Sequence, residues 1–144
     1  MKIIVDTREQ QPWAFPPEVA ETARGTLLAG DYAIAGDDCF AIERKSLDDF
    51  VGTISSGWDR FEREMDRMET ALFPVRVVIV EGSMSDIIEH KYNHPRVSPA
   101  FVLRQIAELT LRGVSVLLAD HPVSAAGLAY IILKRRAEQI GVAE

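Results

Sequence analysis

Apolar residues run together from Lys2 to Val5 and stop at Asp6, the pattern of a short buried strand. Gln10 to Pro17 holds three prolines and two aromatics and reads as a loop. Pro17 to Ala23 reads as one or two helical turns, with proline at the tolerated first position. Thr26–Ile34 and Cys39–Arg44 are strand-like, and the Ala35-Gly36-Asp37-Asp38 turn between them makes the pair a β-hairpin. Ser46 is placed to cap a helix through Asp49 and Phe50, and Gly52 to Gly57 reads as a break. Trp58, Phe61, Met65, Met68 and Leu72 then recur at spacings of three and four, an apolar helical stripe with Arg60, Arg63 and Arg67 roughly opposite. Pro74 ends that helix, and Val75–Val80 is a β-branched run typical of a buried parallel strand. Glu89–Arg96 is a polar loop. Ser98 caps a helix that turns Phe101, Val102, Ile106 and Leu109 inward and stops at Gly113. Val114–Ala119 is another buried strand, and Pro122 opens a last helix to about Ile140. Strands alternating with helices after a hairpin predict an α/β domain with a mixed sheet.

The 144 residues fit a single domain, 1–144, and 47% hydrophobic with 26% charged residues fits a core with a soluble surface. The chain opens directly on a strand, so no leader is read. Its longest nearly apolar stretch, Val123–Leu133, is far short of the roughly 20 residues of a membrane span. The expectation is a soluble, cytoplasmic protein: nucleoid-associated in a bacterium or archaeon, nuclear in a eukaryote. A single cysteine, Cys39, excludes an intrachain disulfide and a cysteine-based zinc cage, and it reads as a small buried strand residue. The net charge of −6 and pI near 5.1 argue against a nonspecific nucleic-acid binder. Bound divalent cations would reverse the field locally, so the objection reduces to weak DNA affinity for the isolated chain.

Acidic residues gather at strand ends in the first third of the chain. Asp6 follows the first strand and Glu9 lies three residues on; Asp31 follows Gly30; Glu43 ends the third strand. Residues two apart on a strand share a face, so Glu43 and Lys45 project together and Arg44 projects away. The hairpin brings Asp31 beside them. Two carboxylates and an ammonium on one face suit metal-assisted phosphodiester hydrolysis, with hard oxygen ligands for Mg²⁺ or Mn²⁺. Spacing alone does not separate this from a surface salt-bridge network.

The wording of the motifs does. Val5-Asp6-Thr7-Arg8-Glu9 resembles the opening motif of the XPF family of structure-selective nucleases. Gly30-Asp31-Tyr32, then Glu43-Arg44-Lys45-Ser46-Leu47-Asp48-Asp49, resembles that family's GD and ERKxxxD signatures, and Arg60-Phe61 with Glu64 resembles its arginine–aromatic motif. The resemblance extends through the last helix. It implies a restriction-endonuclease-like fold of the PD-(D/E)XK class, a mixed central sheet flanked by helices. It also implies metal-dependent cleavage of branched, flapped or otherwise structured duplex DNA, in repair and recombination. By the same resemblance Asp31 and Glu43 are the principal metal ligands and Lys45 orients the nucleophile, while Asp6 and Glu9 complete the acidic site, Asp6 as a further ligand. Arg8 and Arg44 either contact DNA phosphates or scaffold the site, as does Asp49, and Arg60 either touches DNA or braces the acids. Longer family members add a tandem helix-hairpin-helix module or a helicase domain, neither of which this sequence contains. A second copy, a heteromeric nuclease partner or a separate DNA-binding protein would then supply DNA affinity.

Other residues read more plainly. His90 and His94 are spaced like helical zinc ligands but lack a third ligand, so a solvated loop is the simpler reading; Lys91, His94 and Arg96 are alternatively phosphate contacts. Lys134-Arg135-Arg136 reads as a solvated helix face. Trp13 and Tyr32 are candidates for base stacking, against a plainer role for Trp13 at the core edge and for Tyr32 in the strand. The competing function is a catalytically inactive DNA-binding or dimerising scaffold of the same family; such members lose the acidic and lysine positions that this chain keeps.

Overall fold

The computed structural model of the chain describes residues 1–70 and 75–142. Six strands form one sheet in the order β2-β1-β3-β4-β5-β6. β1 (Lys2–Asp6) pairs parallel with β2 (Glu21–Gly25) and antiparallel with β3 (Tyr32–Ile34). β3 and β4 (Phe40–Ser46) form the antiparallel hairpin, closed by Gly36 at φ +86°. β4, β5 (Val75–Glu81) and β6 (Val114–Ala119) are parallel neighbours. Parallel neighbours need crossovers. These are α1 (Leu47–Ile54) with α2 (Trp58–Thr70), then α3 (Met84–Ile88) with α4 (Pro99–Leu111). α5 (Pro122–Ile140) follows β6 and lies against β3, β5 and β6.

Alternation along the strands divides the core in two. Ile3, Val5, Ile34, Ile42 and Ile79 meet the alanine-rich stripe of α5 and Leu133 on one face, with Trp13 and Phe15 closing the edge. Val78, Val80 and Val114 meet Phe50, Met65, Val102 and Leu109 from α1, α2 and α4 on the other. β5 is covered on both sides, which explains its unbroken β-branched run. Ser46 accepts the Asp49 amide at 3.1 Å and Ser98 the Phe101 amide at 3.1 Å, so both predicted caps are present. Along the apolar stripe of α2, Met65 is fully buried, while Trp58, Phe61 and Met68 are partly buried against the core. The expectations for Leu72 and Pro74 lie outside the described residues.

Three expectations change. Pro17–Ala23 is not helical beyond one turn, in which the Val19 and Ala20 amides bond to the Pro16 carbonyl; it leads into β2. That strand, Glu-Thr-Ala-Arg-Gly, is a charged sheet edge with no apolar alternation to betray it. The segment predicted as a strand over Thr26–Ile34 is a regular strand only from Tyr32, with the Asp31 backbone bonded to Ile42 and Asp6 just before it; ahead of Asp31 the chain turns, with Gly30 at φ +78°. The break predicted at Gly52 falls later, because α1 runs through Gly52 to Ile54.

Gly30 and Gly36 separate two costs of adding a methyl group. Both have positive φ, which costs a side chain about 1–2 kcal/mol. A Cβ at Gly36 meets nothing within 4 Å, whereas one at Gly30 would stand 2.6 Å from the Ala41 Cβ. Urea denaturation should therefore show Gly36→Ala losing about 1 kcal/mol and Gly30→Ala at least twice that. Equal losses would mean that the approach of Gly30 to β4 is not tight.

Candidate active site

The hairpin sets the centre of the site. Asp31 is locked by its backbone: its amide donates to the Ile42 carbonyl and its carbonyl accepts the Asp6 amide, each at 2.8 Å. Its side chain then accepts the Arg44 amide at Oδ2, at 2.7 Å. Glu43 and Lys45 leave β4 on the face covered by α1 and α2, with Lys45 Nζ 3.7 Å from Glu43 Oε1. Burial pushes the Asp31 carboxyl up from its ordinary 3.8 to about 6. Burial first, and the Asp31 charge second, push Glu43 from 4.5 to about 7. Asp31, Glu43 and Lys45 open together into a cavity of about 960 Å³, which Arg8, Asp48, Asp49 and Arg60 also line.

The other expected residues take different positions. Asp6 has no exposed side-chain surface and is saturated: Oδ2 accepts the Arg8 amide (3.0 Å) and Nε (2.7 Å), and Oδ1 accepts the Leu27 amide (2.9 Å). The Arg8 guanidinium holds its carboxyl down at about 2. Glu9 does not line the cavity; it accepts the Tyr32 hydroxyl at 2.7 Å and the Arg44 guanidinium at 3.2 Å. Arg44 projects to the opposite face. There it donates to Glu81, Glu9 and the Gln11 carbonyl and lies 5.0 Å from the Trp13 ring, so of its two expected roles the geometry fits the scaffold. Arg8 and Arg60 are exposed at the cavity, paired with Asp6 and Glu64. The Asp49 amide is held by Ser46, and the Asp48 carboxylate accepts the Asn93 amide at 2.7 Å.

The remaining candidates are occupied or displaced. His90 stacks on Tyr92, with its Nε2 3.1 Å from the His94 carbonyl; the His94 ring sits 3.0 Å from the Asp48 carbonyl, at the cavity edge. The two rings therefore do not converge as zinc ligands. Trp13 and Tyr32 are buried and stack on each other at 4.4 Å, not free to stack on a base. Cys39 is exposed in the turn before β4, not buried in a strand, because pairing starts at Phe40. Arg136 departs from a solvated face: it donates to Asp37 at 2.8 and 3.1 Å and ties α5 to the hairpin turn. Glu81, which braces both Arg44 and Trp13, escaped the sequence reading; its only signal is its place at the end of a parallel strand beside β4.

Among the described residues no group of three or more His, Cys, Asp or Glu side chains forms a ready-made metal cage. Two adjacent carboxylates still fit a small hard cation. Mg²⁺ takes one or two carboxylates and completes its octahedron with water and substrate phosphates. The raised Asp31 and Glu43 mark an anionic pair that such a cation would relieve.

A family model, the ERCC4 domain, matches residues 5–131, which include Asp6, Asp31, Glu43 and Lys45. The chain belongs to the ERCC4 domain family. Among solved structures, this ERCC4 domain is similar to XPF from Aeropyrum pernix, with a TM-score of 0.72 and 19% identity over 100% of this chain. It spans 65% of that protein's chain. XPF from Aeropyrum pernix in complex with DNA matches with a TM-score of 0.70 and 21% identity, covering 99% of this chain and 68% of that one. The fold is therefore that of XPF from Aeropyrum pernix, as the motifs led one to expect. No curated protein sequence matches.

The raised carboxyls give a pH dependence of definite sign. A carboxyl whose folded value exceeds its unfolded value binds more protons in the folded state, so the contribution of this pair to stability is full below about pH 4 and is lost as pH rises to about 7. A third of the Glu43 side chain is exposed, so screening reduces the effect to roughly 1–2 kcal/mol. Metal-free protein should lose that stability in urea titrations between about pH 4.5 and about 7.5, and Glu43→Gln should remove its own share of the loss, leaving that of the buried Asp31. A flat profile in the parent chain would contradict the burial of the pair.

Proposed function

We propose that this ERCC4 domain is a divalent-metal-dependent endonuclease that hydrolyses phosphodiester bonds in branched, flapped or otherwise structured duplex DNA. The observation that carries the reading is the convergence of Asp31, Glu43 and Lys45 in one open cavity whose margin carries exposed guanidinium groups. XPF from Aeropyrum pernix has been solved in complex with DNA, which favours the same substrate class here.

Asp31 and Glu43 would hold Mg²⁺ or Mn²⁺. When bound, the ion supplies an acidified water and offsets charge on the phosphate. Lys45, on the same face as Glu43, is placed to donate to a phosphate oxygen or to hold the attacking water by hydrogen bonding. Arg8 and Arg60, exposed at the margin, suit the flanking phosphates. Asp6 acts indirectly, by fixing Arg8 and the Leu27 amide. Arg44 acts from the opposite face by holding β4, Glu9 and Glu81 in register.

The test is cleavage of labelled flap and fork DNA with Mg²⁺, Mn²⁺ or EDTA. Asp31→Asn keeps an acceptor for the Arg44 amide, so it should fold normally and lose cleavage by about 10³-fold or more. Retained cleavage would remove Asp31 from the metal site. Lys45→Ala should lower kcat by about 10²–10³-fold with metal affinity nearly unchanged. Normal turnover at saturating metal, with a large loss of metal affinity, would contradict that role.

A further inference from the structure

Leu28 is 87% exposed, more than any other large apolar side chain among the described residues. A lone exposed leucine is ordinary. Its surroundings are not. Leu28 lies three residues before Asp31 and lines the same cavity as Asp31, Glu43 and Lys45. Leu111 and Val123, the next most exposed, do not line it.

The backbone that carries Leu28 is pinned on both sides. The Leu27 amide donates to the buried Asp6 carboxylate at 2.9 Å. Beyond it, Gly30 lies tight against β4 and both backbone groups of Asp31 are bonded. The leucine is thus presented to solvent from a fixed platform. The same cavity is also lined by the apolar residues Ala29, Ala41, Phe61, Met65 and Met68. Its volume, about 960 Å³, is at the upper end of ordinary ligand pockets and exceeds the needs of one nucleobase. The guanidinium groups of Arg8, Arg60 and Arg67 line the same cavity. Phosphates fit such charges, whereas phosphates alone give no reason for an exposed leucine or for the apolar lining.

The geometry points to Leu28 as a wedge that enters the base stack of DNA beside the scissile phosphate, with the cavity receiving the displaced base. This rests on the endonuclease reading of the site and names its substrate more closely: a nucleotide step that is unpaired or readily unstacked. Apolar wedges of this kind unstack a step at a free-energy cost. A step already unpaired escapes much of that cost, which gives selectivity for structured DNA without base-specific contacts.

Two measurements test the wedge, both on the full chain. In the first, Asp31→Asn protein with Mg²⁺ is titrated onto a duplex carrying 2-aminopurine at the scissile step. Fluorescence should rise several-fold at saturation, should not rise with Leu28→Ser added, and should rise again with Leu28→Met in its place. No rise in Asp31→Asn, or an equal rise in the Leu28→Ser form, overturns the wedge whether or not the parent chain cuts DNA. In the second, single-turnover cleavage compares a fully paired scissile step with a mismatched one. Leu28→Ser should slow the paired substrate by about tenfold more than the mismatched one. Equal slowing of both overturns the wedge and leaves the endonuclease reading standing; absence of metal-dependent cutting by the parent chain overturns that reading separately. If sedimentation shows that Leu28→Ser splits a dimer while the fluorescence rise persists, Leu28 is a contact between copies and the wedge is overturned.

Discussion

Across the β3–β4 hairpin the Arg44 amide donates to the Asp31 carboxylate, and this bond holds one acid beside another on a half-covered sheet face. Both acids are pushed up by burial and Glu43 also by its neighbour, so the arrangement survives only because the backbone leaves no alternative. Gly30 supplies the left-handed turn and the close approach to β4 that deliver Asp31. Ala41 is small where Gly30 passes, and Asp6 anchors the chain that leads there. The site is therefore a property of the hairpin and of the strand beside it.

The two faces of β4 divide the work. Glu43 and Lys45 face the cavity, while Phe40, Ile42 and Arg44 face α5 and the Trp13 edge. Arg44 is held by two carboxylates, a carbonyl and an indole ring, which fixes the strand that carries Glu43 and Lys45. That bracing lies on the far side from any bound substrate and is independent of what the cavity holds. The fold itself is shared with XPF from Aeropyrum pernix at 19% identity, with a TM-score of 0.72.

Legibility in the sequence followed the strength of the local signal. The buried strands β5 and β6, the caps Ser46 and Ser98 and the last helix were legible because apolar runs, capping residues and prolines act locally. The shared face of Glu43 and Lys45 followed from the period of a strand, and the Gly30-Asp31 and Glu43-Arg44-Lys45 words led to the family. β2 was hidden because an edge strand of glutamate, threonine and arginine has no period to read. The commitment of Arg44 was hidden because its partner Glu81 lies on another strand, brought near only by parallel pairing. Asp6 looked like a ligand from its place in a motif, whereas its saturation by Arg8 and the Leu27 amide is a matter of loop geometry.

The central claim is that Asp31 and Glu43 form one cation site. Anomalous diffraction from crystals soaked in Mn²⁺ tests it directly, because Mn²⁺ accepts the same hard oxygen ligands as Mg²⁺ and scatters strongly enough to locate. The account predicts a peak in direct contact with both carboxylates and none in the Asp31→Asn, Glu43→Gln chain. A peak confined to Asp48 and Asp49, or full occupancy in the doubly substituted chain, would contradict it.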